Sequence, residues 1–275
     1  KHRPRNSSDV GDSSDVGDLI QFATLLADAA KEETIQRWRE VCVIDDKGMG
    51  DEFDPVTDAD REAERAMRAL VQTHFPDHGV SGEEFPEQKP RGPYIWSLDP
   101  VDGTRSFTCG LPNWVTLIAL LEDGEPILGL IDAPCLGERY LGSAGGAEVM
   151  GRHGNTVLRV SLCQKLAEAR LSTTDPFLFN GSEAEAFEQL RRSVRTTRYG
   201  QDGYAYARLA AGTIDLVVES GLKPHDYNAL VPVVRGAGGV IGDWSGGGDF
   251  APGKVIAAAT RDLYDQAVEI MAPAA

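Results

Sequence analysis

Two aspartates in the stretch WSLDPVDGTRSF, residues 96–107, could hold a divalent cation. Apolar residues run into Asp99, and Asp102 follows three positions later in a turn that proline and glycine make tight. Two carboxylates this close repel each other, and a cation between them relieves the repulsion. Oxygen ligands of this kind favour Mg²⁺, which usually also contacts substrate phosphate. A plain turn is the alternative, because Asp, Pro and Gly all favour turns.

The residues after these aspartates could bind phosphate. Gly103 and Thr104 offer backbone N–H groups, and a helix starting there would present them at its N-terminus. The apolar strand over residues 94–98 leads straight into the turn. Since strand ends carry ligands in α/β folds, this placement favours a binding site over a plain turn.

Three other acidic stretches could complete such a site. They are SGEE at residues 81–84, DPVTDAD at residues 54–60, and PHD at residues 224–226. Each has a plain alternative: a solvated loop for the first, dipole partners of a helix N-terminus for the second, and an N-cap for Asp226. Their order along the chain, rather than any one of them, points to a single site.

That order resembles the inositol monophosphatase-like family of magnesium-dependent, lithium-sensitive phosphatases. The pattern is D-P-V-T-x-A-D, then G-E-E, then D-P-V-D-G-T, then a late Asp before A-G-G, and it covers nearly the whole chain from about residue 18. The resemblance implies an α/β protein with an α+β N-terminal lobe and an α/β C-terminal lobe. Together these would form the layered αβαβα sandwich of the inositol monophosphatase and fructose-bisphosphatase type, and a homodimer is also implied.

The resemblance further implies a ligand set for two to three Mg²⁺ ions per site. Glu83, Asp99 and the backbone carbonyl of Val101 would hold the first ion. Asp99, Asp102 and Asp226 would hold the second, and Glu83 would also support a weaker third ion.

The reacting groups come from the same resemblance. Thr104 and Asp60 match the pair that orients and deprotonates the attacking water, and Glu83 is counted with them as catalytic. Gly103 and Thr104 would bind phosphate through their N–H groups. The implied reaction is direct hydrolysis of a phosphate monoester by a metal-activated water, without a phosphoenzyme. One departure is His225, where the family commonly has Trp; we interpret it as a packing substitute rather than a ligand or proton donor.

Two further carboxylates bear on the substrate. Glu219 matches the family residue that contacts the alcohol portion of the substrate, and Asp202 lies where inositol-specific members carry small neutral residues. With residues 178–181 and 219–224 they resemble the histidinol-phosphate phosphatase branch, which belongs to histidine biosynthesis. Independently, two carboxylates would suit the ammonium and imidazole groups of L-histidinol phosphate.

Several alternatives stay open for these residues and for the function. Asp202 could be a helix N-cap, and Glu219 could be a surface charge at a strand end. An inositol-1-phosphate or broad sugar-phosphate phosphatase would use the same metal site. A catalytically silent scaffold of the same fold is the alternative outside the enzymes, although such a protein has no need of the full residue set.

Composition narrows the class of protein. The 275 residues carry a formal net charge of −16, which argues against general binding of nucleic acid or of anionic membranes. The four cysteines are scattered without metal spacing, as in proteins of reducing compartments. No apolar run is long enough to span a bilayer, and no signal-peptide core is present. We expect a cytoplasmic protein, or a plastid or other organelle protein if a transit peptide was removed.

The chain that positions these residues is predicted to have three parts. Residues 1–17 form a polar, flexible leader, 18–160 an N-terminal lobe with most metal ligands, and 161–275 a C-terminal lobe with the specificity residues and the last ligand. A cleft should lie between the lobes. Predicted helices cover residues 18–39, 58–75, 182–195, 204–211, 226–235 and 263–271. Predicted strands cover residues 94–98, 115–121, 126–131, 139–142, 157–160, 170–173, 197–199, 214–219 and 255–260, with a hairpin at Asp123-Gly124.

Overall fold

The computed structural model describes residues 16–40, 44–46, 55–152 and 154–275. Most of the predicted leader, and Asp54 of the DPVTDAD motif, lie outside the described residues. The helices in the described ranges are α1 (Val16–Ile35), α2 (Asp58–His74), α3 (Thr104–Thr108), α4 (Ser182–Ser193), α5 (Asp202–Ala210), α6 (Pro224–Tyr227), α7 (Leu230–Gly236) and α8 (Arg261–Met271). No helix in these ranges combines the length and the apolar character needed to cross a membrane.

The first large sheet follows a small antiparallel pair, β1 (Ile44–Asp46) and β2 (Pro55–Thr57). Its seven strands lie side by side in chain order, and all neighbours are antiparallel except the first two, which are parallel. They are β3 (Gly79–Gly82), β4 (Tyr94–Asp102), β5 (Val115–Glu122), β6 (Glu125–Ala133), β7 (Glu138–Ser143), β8 (Gly146–Gly151) and β9 (Gly154–Val157).

The second large sheet is built from the later part of the chain. Its strands are β10 (Arg170–Thr173), β11 (Thr196–Tyr199), β12 (Leu216–Glu219), β13 (Val240–Asp243) and β14 (Val255–Ala258). Their spatial order is β11-β10-β12-β14-β13, with β10 parallel to both of its neighbours and β14 antiparallel to both of its own. The lobe boundary at residues 160 and 161 falls between the two sheets and stays a prediction.

Three apolar clusters stack the elements into five layers. The first packs α1 and α2 on one face of the seven-stranded sheet, around Phe22, Met67 and Trp96. The second fills the space between the two sheets with α5 and α7. The third packs α4 and α8 on the outer face of the five-stranded sheet, around Phe187 and Leu263. The order is therefore helix, sheet, helix, sheet, helix, and the predicted αβαβα sandwich is confirmed.

Strand β5 shows why the seven-stranded sheet must be covered on both faces. Val115 and Leu117 belong to the cluster between the sheets, whereas Ile118 and Leu120 belong to the cluster under α1 and α2. Successive side chains of a strand point to opposite faces, so a strand that is apolar on both faces needs a layer on each side. The predicted hairpin at Asp123-Gly124 is confirmed, with both residues at positive φ between β5 and β6.

Several predicted elements differ from the structure in their bounds, and three differ most. The first helix runs from Val16 to Ile35 instead of over residues 18–39, so residues 16 and 17 of the predicted leader are helical. Beyond Ile35 the chain turns, and Arg39 takes a left-handed φ of 67°. The strand predicted over residues 157–160 instead covers Gly154–Val157 and shares only Val157 with the prediction, and the N–H of Val160 donates to the Ala237 carbonyl outside the sheet. The single helix predicted over residues 226–235 is two short helices, and Pro232, which has no N–H, interrupts the bonding between them.

Candidate active site

The carboxylates of both aspartates of the DPVD turn come close together because β4 is irregular at its end. Residues three apart on a regular strand point to opposite faces, but the pairing of β4 with β5 shifts register between Asp99 and Asp102. Gly103 then adopts a φ of 90°, a left-handed conformation that glycine takes at little cost, and α3 begins at Thr104. The bulge thereby re-aims the second carboxylate.

The backbone of the turn is fixed by hydrogen bonds. The Asp99 carboxylate accepts from the N–H of Val101 at 3.1 Å, and the Thr104 hydroxyl donates to the Val101 carbonyl at 3.0 Å. From the next strand, the Thr116 hydroxyl donates to the carbonyl of Pro100 at 2.8 Å. The predicted metal-binding carbonyl of Val101 therefore sits in a rigid turn.

A third carboxylate, from α6, completes a cluster with these two. Within the described chain, Asp99, Asp102 and Asp226 each bring one carboxylate oxygen within 4.8 Å of the others. Burial raises the pKa of Asp99 well above its usual range, and the charge of Glu83 adds to this effect. Desolvation also raises the pKa of Asp102 and of Asp226. Three carboxylates that disfavour one another's charge are suited to share a cation.

Glu83 joins this cluster through sheet pairing. Strand β3 runs parallel to β4, with Gly82 beside Leu98, so the residues that follow each strand lie at the same edge. Glu83 accordingly lines the same cleft as Asp102 and Asp226.

Asp60 is buried in the first turn of α2. Its carboxylate accepts from the backbone N–H of Thr57 at 2.8 Å and from the Thr57 hydroxyl at 2.6 Å. Burial raises the pKa of Asp60 to about 7, and the nearby charges of Glu84 and Glu83 also raise it. No hydrogen bond joins Asp60 to Thr104 within the described residues, so the predicted relay between them stays a prediction.

The cleft encloses about 790 Å³ and runs from the aspartate cluster to the ends of β10 and β12. Gly103, Thr104, Asp202 and Glu219 all line it, so the structure brings the predicted phosphate and substrate residues together.

Glu219 is buried at the end of β12, not exposed as the surface-charge alternative required. Its oxygens accept from Thr174 N–H at 2.8 Å, from the Thr174 hydroxyl at 3.0 Å and from Thr173 at 3.3 Å. Burial raises the pKa of Glu219 to about 8, and the charge of Asp202 contributes to the shift.

Asp202 is the first residue of α5 and takes a left-handed φ of 43°. Gln201 occupies the N-cap position, so the N-cap alternative for Asp202 is wrong. Desolvation raises the pKa of Asp202 to about 6, against the opposing charge of Arg105. Its carboxylate lies 3.1 Å from the position that a Cβ on Gly103 would occupy. Asp202 therefore stands beside the predicted phosphate-binding backbone.

His225 lines the cleft with its Nε2 atom 3.5 Å from the Asp226 carboxylate. The polar edge of the ring, and not only its volume, therefore bears on the cluster. Asn228, two residues after Asp226, is buried and donates to the Ser97 hydroxyl at 3.1 Å. This bond ties the α6 segment to β4 and accounts for an amide in an otherwise apolar stretch.

Other residues of the cleft were given no individual role from the sequence, although Lys223 lies in the stretch 219–224 that resembles the histidinol-phosphate phosphatase branch. Arg105 pairs with Asp175 at 3.3 Å and so links α3 to the segment after β10. The hydroxyl of Tyr206, in α5, is buried and has no hydrogen-bond partner in the described part of the chain. Lys223 also lines the cleft. The sequence could have indicated Arg105, because it directly follows Thr104, and Asp175, because it follows the end of a strand. Tyr206 gives no such indication, because its place in the sequence pattern is that of a core residue.

Solved structures share this architecture. An inositol monophosphatase from Zymomonas mobilis superimposes with a TM-score of 0.83 at 40% identity, over 94% of this chain and 99% of that one. An inositol monophosphatase from Thermotoga maritima gives a TM-score of 0.82 at 30% identity, over 93% and 97% of the two chains. Fold and site together define a phosphatase built as an αβαβα sandwich.

The sequence comparisons narrow this class to one family. The model of the inositol monophosphatase family matches residues 15–273. A bifunctional phosphatase, IMPL2, chloroplastic, from Arabidopsis thaliana is 42% identical over 281 residues, 97% of this chain and 80% of that protein. A histidinol-phosphatase from Chlorobaculum parvum is 34% identical over 209 residues, 76% and 80% of the two. The chain belongs to the inositol monophosphatase family.

Proposed function

We propose that the chain is a magnesium-dependent phosphate monoester hydrolase whose main substrate is L-histidinol phosphate. The observation that carries the substrate is the pair of carboxylates, Asp202 and Glu219, in the cleft beside the predicted phosphate-binding backbone. The reaction would consume water and release L-histidinol and phosphate.

The donor set fits Mg²⁺. Its members are carboxylate oxygens and one backbone carbonyl, the hard donors that this ion prefers. Following the family pattern, Glu83, Asp99 and Val101 would hold one ion, and Asp99, Asp102 and Asp226 a second, with Glu83 supporting a weaker third. When bound, Mg²⁺ lowers the pKa of coordinated water and neutralises charge on the phosphate.

The chain's own groups would handle the proton and orient the ester. Asp60, whose pKa is about 7, can accept a proton from the attacking water near neutral pH. The Thr104 hydroxyl would help to orient that water, and the N–H groups of Gly103 and Thr104 would hold phosphate oxygens. Water attacks phosphorus, the ester P–O bond breaks, and the departing alcohol oxygen takes up a proton.

The acidic pair favours a cationic alcohol. Burial is the main cause that raises the pKa of Asp202 to about 6 and that of Glu219 to about 8, and repulsion by the negative charge of Asp202 adds to the shift at Glu219. An ammonium or imidazolium group placed between them would offset that repulsion, whereas a neutral polyol would leave it in place. The same residues therefore discriminate against neutral esters.

A second candidate is activity on inositol 1-phosphate or on a broader set of sugar phosphates. The Arabidopsis relative is named bifunctional, which favours more than one substrate for such a site. Glu219 and Thr174 could also bond to hydroxyl groups. The silent-scaffold alternative is less favoured, because the cleft is lined by the predicted phosphate and substrate residues and by three of the predicted metal ligands, Glu83, Asp102 and Asp226. Cellular location and the homodimer stay predictions.

The test is phosphate release from L-histidinol phosphate and inositol 1-phosphate, side by side, with Mg²⁺ and then with EDTA. We expect EDTA-sensitive release, faster from L-histidinol phosphate. Preference for inositol 1-phosphate would retain the metal site and overturn the substrate proposal. No release from either ester would support the scaffold alternative.

A further inference from the structure

Helix α2 buries an ion pair one turn beyond Asp60. The side chain of Glu64 is fully buried, and Arg68 is only 11% exposed. One Glu64 oxygen accepts from Arg68 Nε at 2.7 Å, and the other accepts from the backbone N–H of Glu84, also at 2.7 Å. Burying two charges is costly unless their hydrogen bonds are satisfied, and here the bonds reach a neighbouring loop.

The pair holds that loop at several points. Beyond its bond to Glu64, the Arg68 guanidinium donates to the carbonyl of Phe85 at 3.0 Å and to that of Pro86 at 3.1 Å. On the other side of Glu83, a methyl group on Gly82 would overlap the Glu64 carboxylate. Glu64 and Arg68 therefore contact the backbone immediately before and after Glu83.

We propose that Glu64, with Arg68, is a positioning residue that sets the backbone of residues 82–86 and thereby aims Glu83 at the aspartate cluster. Asp60 and Glu64 are four residues apart and lie on one face of α2. One helix thus places both the proton acceptor and the loop that carries a predicted metal ligand. This inference rests on the proposed metal-dependent function.

The chemistry of the contact requires a carboxylate. Both groups that face Glu64 are N–H donors, from Arg68 and from the backbone of Glu84. A glutamine has nearly the same shape but only one acceptor oxygen, so its amide N–H₂ would face a donor. Residues that orient metal ligands typically change metal affinity or activity about 10- to 100-fold when mutated.

The matched test compares Glu64→Gln with Glu62→Gln, which changes a partly exposed glutamate of α2 that pairs with Arg65. Mg²⁺ binding is measured by calorimetry without substrate, beside kcat and the melting temperature in EDTA. We expect Glu64→Gln to weaken Mg²⁺ binding about tenfold or more, and Glu62→Gln to leave it unchanged.

Two further variants keep the inference testable if Glu64→Gln folds poorly. Gly82→Ala presses on the same carboxylate from the loop side and should weaken Mg²⁺ binding in the same way. Arg68→Lys keeps the charge beside Glu64 but lacks the planar fork of donors with which arginine bonds Glu64 and both loop carbonyls together, so an intermediate loss is expected. A wild-type protein that neither binds Mg²⁺ nor releases phosphate would overturn the proposed function. A wild-type protein that binds Mg²⁺, with variants that melt earlier yet bind Mg²⁺ equally well, would overturn the positioning role alone.

Discussion

The carboxylate of Asp102 accepts a hydrogen bond from the backbone N–H of Gly203, the second residue of α5. The first N–H groups of a helix have no partner within the helix and favour an anion, so this bond satisfies both groups. Asp102 is a predicted metal ligand. Asp202, which precedes Gly203 in the first turn of α5, is a predicted substrate residue. This hydrogen bond joins the predicted metal cluster directly to helix α5. A substitution in either of them should therefore alter the geometry of the other.

Gly203→Ala should reduce activity while leaving the fold intact. Gly203 does not need a positive φ, but a methyl group there would overlap the Asp102 carboxylate and press on Val115. We expect kcat to fall about 10- to 100-fold, because the displaced carboxylate is a predicted metal ligand. Gly92→Ala is the control, since a Cβ at Gly92 meets no atom within 4 Å. Equal activity of the two variants would show that the bond to Gly203 does not place Asp102.

Asp99→Asn should stabilise the metal-free protein and at the same time lower its activity. Removing one of three crowded carboxylates relieves repulsion in the metal-free protein, so we expect its melting temperature in EDTA to rise by a few °C. Added Mg²⁺ should then raise the melting temperature of the wild type but not of the variant, and activity should fall at least about 100-fold. Differential scanning calorimetry with EDTA and with Mg²⁺ checks this. A variant that Mg²⁺ stabilises as much as the wild type would remove Asp99 from the ligand set.

The parts of the fold that could be predicted are those fixed by interactions between residues close together in the sequence. The start of α2 follows from the reciprocal bonds of Thr57 and Asp60, and the β5–β6 hairpin follows from Asp123-Gly124. The short strand β13 was missed, because its four residues follow two glycines and carry little pattern of their own. What fixes β13 is pairing with β14, a contact between segments that local sequence does not encode.

The candidate site divides in the same way. Asp99 and Asp102 are near neighbours in sequence, so the turn and the strand before it already indicated a shared cation site, with a plain turn as the alternative, and the resemblance supplied their individual roles. The approach of Asp226 came from the resemblance, since it lies more than 120 residues along the chain. The hydrogen bonds that Glu64 and Gly203 make to other segments could not be predicted from the sequence. A glutamate such as Glu64 is interpreted as a surface charge until its buried partner is known.

Glu219 should make the stability of the metal-free protein depend on pH. Its pKa is about 8 in the folded protein against an ordinary value of 4.5, so the folded state holds a proton that the unfolded state has lost between these values. Stability from this group is therefore fully present below about pH 4.5 and is lost as the pH rises through about 8. Glu219→Gln should flatten this loss.

Melting temperatures in EDTA at pH 5, 6.5 and 8 test the role of Glu219. As the pH rises, the melting temperature of Glu219→Gln should increase relative to that of the wild type. Glu125→Gln, which changes an exposed glutamate of β6, serves as the control and should run parallel to the wild type. A constant difference between wild type and Glu219→Gln across this range would mean that Glu219 ionises as readily in the folded protein as in the unfolded chain.

Asp202→Gly should change substrate preference without harming the backbone. Asp202 sits at a φ of 43°, which glycine adopts more readily than any other residue. Loss of its charge should lower kcat/KM for L-histidinol phosphate about 10- to 100-fold, the range expected for a hydrogen bond to a charged group. For inositol 1-phosphate, which has no cation to pair with Asp202, kcat/KM should hold or rise. Asp123→Gly is the control, because Asp123 has a similar φ of 51° in the exposed β5–β6 hairpin. Equal losses on both esters, with Asp123→Gly unaffected, would assign Asp202 to shaping the cleft rather than to choosing the substrate.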